Sequence, residues 1–72
     1  MRLEDIRPRQ VVRVQHLSPW SSIMAAQEYL DNRRENVEGV VIRADEGVVW
    51  VRHFGKYAPY SPYELNLLGS PA

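Results

Sequence analysis

Seventy-two residues and 8.4 kDa suit a single domain over residues 1–72, since folded domains start near about 50 residues. Nine basic side chains balance nine acidic ones, and the absence of cysteine excludes disulfides, thiol catalysis, iron–sulfur clusters and Cys-ligated zinc. The longest apolar runs fall far short of the ~20 residues that cross a bilayer, and Met1-Arg2-Leu3-Glu4-Asp5 lacks the apolar stretch of a signal peptide. The expectation is a cytoplasmic protein with no membrane association.

Nine valines, three isoleucines and six leucines weight the chain toward strands. Without disulfides or metal, so short a domain must use most of its apolar residues in one core, which leaves little to line a deep substrate cavity. This argues against an enzyme.

In chain order, Pro8 favours an extended or turn geometry before Val11-Val12-Arg13-Val14-Gln15-His16, where Val12 and Val14 share one face and Arg13 and Gln15 the other. That alternation predicts a half-buried strand. Ser18-Pro19-Trp20 breaks it, with Ser18, Ser21 or Ser22 as the cap of a helix of about ten residues and Pro19 suited to a first helical position. Trp20, Ile23, Gln27 and Leu30 form the stripe of that helix, which fades into the polar run Asp31–Asn36. Val37–Arg43 reads as a second strand, with Val40 and Ile42 pointing one way and Val41 and Arg43 the other. Asp45-Glu46-Gly47 reads as a hairpin loop, with Gly47 left-handed after a type I turn, leading to a third strand over Val48–Phe54. Gly55-Lys56 is a second tight turn and Tyr57-Ala58 opens a short fourth strand.

Ser61-Pro62-Tyr63-Glu64 has the spacing of a capping box: Ser61 as cap, Pro62 at the first helical position, Glu64 reaching back. Only a few residues separate it from Gly69, so a single 3-10 turn is expected, followed by a fifth strand around Leu67-Leu68, with Ser70–Ala72 a frayed tail.

Gln10-Val11-Val12-Arg13-Val14, Gly39-Val40-Val41-Ile42 and Val49-Trp50-Val51-Arg52-His53, with the closing Tyr60-Ser61-Pro62-Tyr63-Glu64-Leu65, resemble an SH3-like small barrel of the Tudor or KOW kind. The resemblance is at the level of fold and covers most of the chain except the inserted helix. It implies a mainly β, five-stranded barrel, with one α-helix between strands 1 and 2 and a 3-10 turn before the last strand. It also implies a non-catalytic binding module, without naming the ligand.

His16 and His53 lie on different strands with no metal-ligand spacing, so one partly buried and one surface imidazole are expected, and no metal or cofactor. No serine stands in a nucleophile elbow and no glycine-rich phosphate loop is present. Phe54, Tyr57, Tyr60 and Tyr63 fall within ten residues, with Trp50 nearby. If Val49 and Val51 face the core, Trp50 and Arg52 face outward together. Rings on that side would hold a protein or peptide partner, so the candidate ligand-binding set is Trp50, Phe54, Tyr57, Tyr60 and Tyr63; the competing assignment is that Trp50 and two tyrosines simply cap the core. The alternative is a nucleic-acid surface of Arg7, Arg9, Arg13, Arg43 and Arg52, against which the zero net charge weighs. A third class is a small accessory subunit of a larger complex. Trp20, Met24 and Tyr29 exceed what one thin helical stripe needs, so part of that segment either closes an end of the fold or makes a docking face. Oligomeric state is left open.

Overall fold

A computed structural model of the protein describes residues 2–18 and 23–69. Five antiparallel strands carry the fold: β1 (Val11–Val14), β2 (Glu38–Asp45), β3 (Val48–His53), β4 (Lys56–Tyr60) and β5 (Leu65–Gly69). They form one sheet in the order β4-β3-β2-β1-β5. β2, β3 and β4 are a meander joined by tight turns, while β1 is paired on both sides, by β2 and by the returning β5. A short helix α1 (Gln27–Leu30) lies between β1 and β2, and 3-10 turns occupy Leu3–Asp5 and Pro62–Glu64. No helix among the described residues is long and apolar enough to cross a membrane.

Strand alternation sorts the side chains as the sequence suggests. Val12 and Val14 of β1, Val41 of β2, Val49 and Val51 of β3, Ala58 and Tyr60 of β4 and Leu65 of β5 are buried together with Ile6, and Leu17 and Val37 pack against them. Gly39 faces the same interior because a Cβ there would sit 2.5 Å from Val51 Cγ1 and 2.8 Å from the Arg52 carbonyl oxygen. The close approach of β2 to β3 at that point requires a residue without a side chain.

Several expected details differ. The register shifts between Val41 and Arg43, so that Arg43 pairs with Trp50. This irregularity carries Arg43 to the outward side instead of leaving it with Val41. Asp45 pairs directly with Val48, so the β2–β3 turn has two residues, Glu46 and Gly47, at φ 50° and 78°. Two consecutive left-handed residues match the strand twist better than a type I turn followed by one. The β3–β4 turn is likewise two residues, Phe54 and Gly55, at φ 53° and 72°, which starts β4 at Lys56.

The expected ten-residue helix is a single turn, Gln27–Leu30, beginning after an extended Ala26, and it buries none of its residues. Ser18 is not its cap; its N–H is taken by the Glu64 carboxylate at 2.6 Å. Helix propensity is a weak determinant against such tertiary anchors, and a helix of ten residues with no buried face is marginal in water. Met24, on the expected helix, is 93% exposed. The remaining expected features of this segment, Pro19, Trp20, Ser21 and Ser22, lie outside the described residues, as does the tail at Ser70–Ala72.

The 3-10 turn at Pro62–Glu64 forms as its sequence requires. The Glu64 N–H donates to the Ser61 carbonyl at 3.0 Å, and the Glu64 side chain accepts the Ser61 N–H at 2.8 Å, completing the capping box. The sequence does not reveal that Glu64 is also the most deeply buried charged group. It is inaccessible to solvent, and Arg33 Nη2 donates to both of its carboxylate oxygens.

Candidate functional site

The outward side of the meander is built from residues that alternate with the core. Val11, Val40, Arg52 and Tyr57 are successive cross-strand partners from β1 to β4, and Arg43 and Trp50 form a second row beside them that ends at the buried Pro59. Directly opposed residues share a face, so the exposed members of each row stand on one side of the sheet. Val11, Val40, Ile42 and Tyr57 are all exposed there. Trp50 is half-buried, because Tyr29 from α1 meets its ring edge to face at 5.3 Å and the Arg43 guanidinium lies 5.9 Å from the ring centroid. α1 is held against β4 at its C-terminal end, where Asn32 Nδ2 donates to the Tyr57 carbonyl at 2.9 Å. The short helix thus supplies one wall of a hollow of about 310 Å³ lined by Tyr29, Ile42, Arg43, Trp50 and Tyr57.

The other expected aromatic residues are distributed differently. Phe54 is 80% exposed at the tip of the β3–β4 turn, edge-on to the His53 ring at 5.7 Å. Tyr63 is exposed on the 3-10 turn before β5, apart from the residues that line the Trp50 hollow. Tyr60 is fully buried and so is part of the core and not of any surface patch. It follows from its register: Tyr60 opposes the inward Val49. The structure therefore brings Trp50 and Tyr57 together, sets Phe54 at the next turn, and leaves Tyr60 and Tyr63 elsewhere. Tyr29 and Ile42, which complete the hollow, were not singled out as ligand contacts by the sequence. An excess of apolar residues around α1 is the signal that pointed toward Tyr29.

The arginine set is also divided. Arg7 is spent on the first 3-10 turn, its Nη1 donating to the carbonyls of Glu4 and Ile6. Arg9 takes a left-handed φ of 73° and its N–H extends the β1–β2 ladder to the Val41 carbonyl. Arg13 faces its cross-strand partner Glu38 at 3.9 Å, an exposed pair of small energetic weight. Only Arg43 and Arg52 stand on the aromatic face.

Beneath that face lies a buried polar cluster. The Tyr60 hydroxyl accepts the Arg34 N–H at 3.0 Å and meets His53 Nε2 at 2.7 Å. The Arg33 guanidinium, already bound to Glu64, lies 5.4 Å from the Tyr60 ring centroid. Burial first and the positive field of Arg34 second hold the His53 pKa below its ordinary 6.5, with its own backbone offsetting part of the effect. Burial likewise pushes the Tyr60 phenol above its ordinary 10.0, against the lowering effect of the Arg34 backbone hydrogen bond and the Arg33 charge. His53 is therefore a neutral ring inside the fold at neutral pH, and His16 is the surface imidazole.

Comparison with protein-family models, curated proteins and solved structures finds no match for this chain.

Proposed function

We propose that this chain is a non-catalytic interaction module of the SH3-like small-barrel kind, holding a protein or peptide partner on the outward side of β2, β3 and β4. The fold reading is supported by the β2–β4 meander, by β1 lying between β2 and β5, and by the 3-10 turn that redirects the chain into the last strand. The observation that carries the binding reading is the hollow around Trp50. Tryptophan and tyrosine offer rigid, amphipathic contact area at small entropic cost, and here both sit on strand positions, walled by Tyr29 and Ile42. A binding role is favoured over a catalytic one because the groups best suited to acid–base work are occupied within the fold. Glu64 neutralises Arg33 and caps a turn, while His53 and Tyr60 hydrogen-bond each other in the interior.

The test is a selection from a random peptide library displayed on phage, followed by mapping of recovered peptides on the isotopically labelled protein. The expected result is that the Trp50 indole N–H and the Ile42 and Tyr57 resonances shift on titration, and that Trp50→Ala abolishes binding while the spectrum stays dispersed. Peptides that bind but shift only residues elsewhere would remove the assignment of this face.

A further inference from the structure

Three hollows on this side of the molecule share residues. The one at Trp50 and Tyr57 adjoins a second of about 370 Å³, lined by Val40, Ile42, Arg52, His53, Phe54 and Gly55, through their common Ile42. The second adjoins a cleft of about 110 Å³ between Asn32, Arg34, His53, Phe54 and Lys56, through His53 and Phe54. The result is one groove, running across the outer face from Trp50 to the β3–β4 turn and around it.

The charges along this groove are of one sign. Arg43 stands in the first hollow, Arg52 in the second, and Lys56 in the cleft together with Arg34, whose Nη1 donates to the Asp31 and Arg33 carbonyls while its charge remains unpaired by any carboxylate among the described residues. No carboxylate is among the lining residues of any of the three, and among the described residues these four cations form no ion pair. The chain as a whole is neutral, so this is a segregation of charge and not a basic composition. Of its acidic groups, Glu38 opposes Arg13 and Glu64 is sealed inside with Arg33, while Asp45 and Glu46 at the β2–β3 turn line a further hollow that shares Arg43 and Trp50 with the first, so the cationic run is bounded by carboxylates at its Arg43 end.

Beneath the groove, His53 Nε2 and the Tyr60 hydroxyl lie 2.7 Å apart, so the ring that borders the second hollow and the cleft is held from inside the fold. A cationic rim favours an oxygen anion.

We propose that the occupant of this groove is an acidic peptide lying extended across it, with apolar side chains in the Trp50–Tyr57 and Phe54 hollows and carboxylates against Arg43, Arg52 and the Arg34–Lys56 cleft. This rests on the outer face being the docking surface. A peptide fits better than a single-stranded nucleic acid, because stacking of bases needs open aromatic plates. Here the Trp50 ring is engaged by Arg43 and Tyr29, the exposed Phe54 and Tyr57 rings stand on different hollows, and four cations on a neutral domain supply little counterion release. Phe54 is consistent with a binding role as well: a bulky, exposed side chain holds a left-handed position that asparagine or glycine would fill without strain.

The experiment reads the charge of what the wild-type protein selects from the random library. Enrichment of aspartate and glutamate next to aromatic or aliphatic residues is expected. For a recovered peptide, titration calorimetry should show at least about fivefold weaker binding to each of Arg43→Glu and Arg52→Glu, and loss of affinity with added salt. Should a reversed-charge variant fail to fold, the salt dependence of the wild-type complex decides. Neutral or basic peptides that shift Trp50 would overturn the acidic assignment and leave the docking face standing. Peptides mapping elsewhere, or no enrichment at all, would overturn both. Oligouridylate or oligothymidylate shifting the Trp50 and Phe54 resonances with steep salt dependence would replace the peptide with a nucleic acid.

Discussion

Glu64→Gln tests the organisation of the interior most directly. The carboxylate is inaccessible to solvent and receives the Ser61 N–H, the Ser18 N–H and the Arg33 guanidinium. Glutamine keeps the volume but places an amide NH₂ where one oxygen was, so in either orientation one backbone N–H faces another donor. Losing that acceptor costs about 1–3 kcal/mol. Arg33, whose side chain is 13% exposed and whose Nε already has no partner among the described residues, loses its countercharge at the same time. Breaking one side of a buried pair costs about 3–5 kcal/mol in total. A domain of 72 residues has roughly 4–11 kcal/mol of stability, so the variant should lie near the edge of folding. The expected fall in Tm is roughly 12–40 °C, at about 4–8 °C per kcal/mol for this size. Urea unfolding followed by tryptophan fluorescence and circular dichroism measures it. Arg33→Met should be comparably damaging, because it leaves the carboxylate charged and buried. The double variant should lose less than the sum of the two, since each single change strands the other partner. A Glu64→Gln loss below about 1 kcal/mol, or strictly additive effects in the cycle, would refute the reading of Glu64 and Arg33 as a coupled buried pair.

Three further outcomes follow from the geometry. Gly39→Ala forces a methyl group into contact with Val51 and the Arg52 carbonyl, one of them an immobile backbone atom, and should cost about 1–3 kcal/mol, visible as a matching drop in the urea midpoint. His53 has its pKa depressed in the folded state, so unfolding takes up a proton below the ordinary 6.5; stability should be fully present above that pH and fall as the pH drops through it, and His53→Asn should flatten that part of a Tm-against-pH profile. Phe54→Asn relieves a left-handed bulky residue while giving up a largely exposed ring, so thermal stability should stay within about 1 kcal/mol of the parent or rise. Binding of peptides selected on the groove should fall in the same variant, as read by titration calorimetry.

The strands were legible because period-two alternation reports directly on burial. The inward parity of Val49 and Val51 placed Trp50 and Arg52 outward, and the structure has them so. The capping box at Ser61–Glu64 was equally legible, since the N-cap and third helical position satisfy one another through bonds three residues apart. What escaped the sequence depends on contacts distant along the chain. The helix was overestimated because its residues favour helix locally, whereas Ser18 is drawn to Glu64 and Asn32 to Tyr57, 46 and 25 residues away. Tyr60 looked equivalent to its tyrosine neighbours, and only the register against Val49 sends it inward. The groove was half visible: aromatic density marked Trp50, Phe54 and Tyr57, but Tyr29 comes from another element and Arg34 approaches from the turn after α1.

The register shift in β2 links these two levels. In an unbroken ladder Arg43 would share the side of Val41, and a guanidinium would point at a core built from valines. One irregularity between Val41 and Arg43 returns that arginine to the outer surface opposite Trp50, where it covers the ring and supplies the first cation of the groove. Up to Val41 the strand supplies the core, and beyond the irregularity its residues line the outer hollow. Burial of the core does not rely on Arg43, Arg52, Tyr57 or Phe54, which are all exposed, so changes to the groove are separable from changes to stability. The polar cluster beneath is not separable in this way, because His53 belongs to both: its Nε2 is bound to Tyr60 within the fold, and the residue borders the hollow that holds Arg52 and the cleft that holds Arg34. A carboxylate bound over that ring would therefore stabilise the folded state as well as fill the groove. Saturating acidic peptide should raise the Tm of the parent, and His53→Asn should lower both the unliganded Tm and the rise on adding peptide, as read by thermal unfolding with and without peptide.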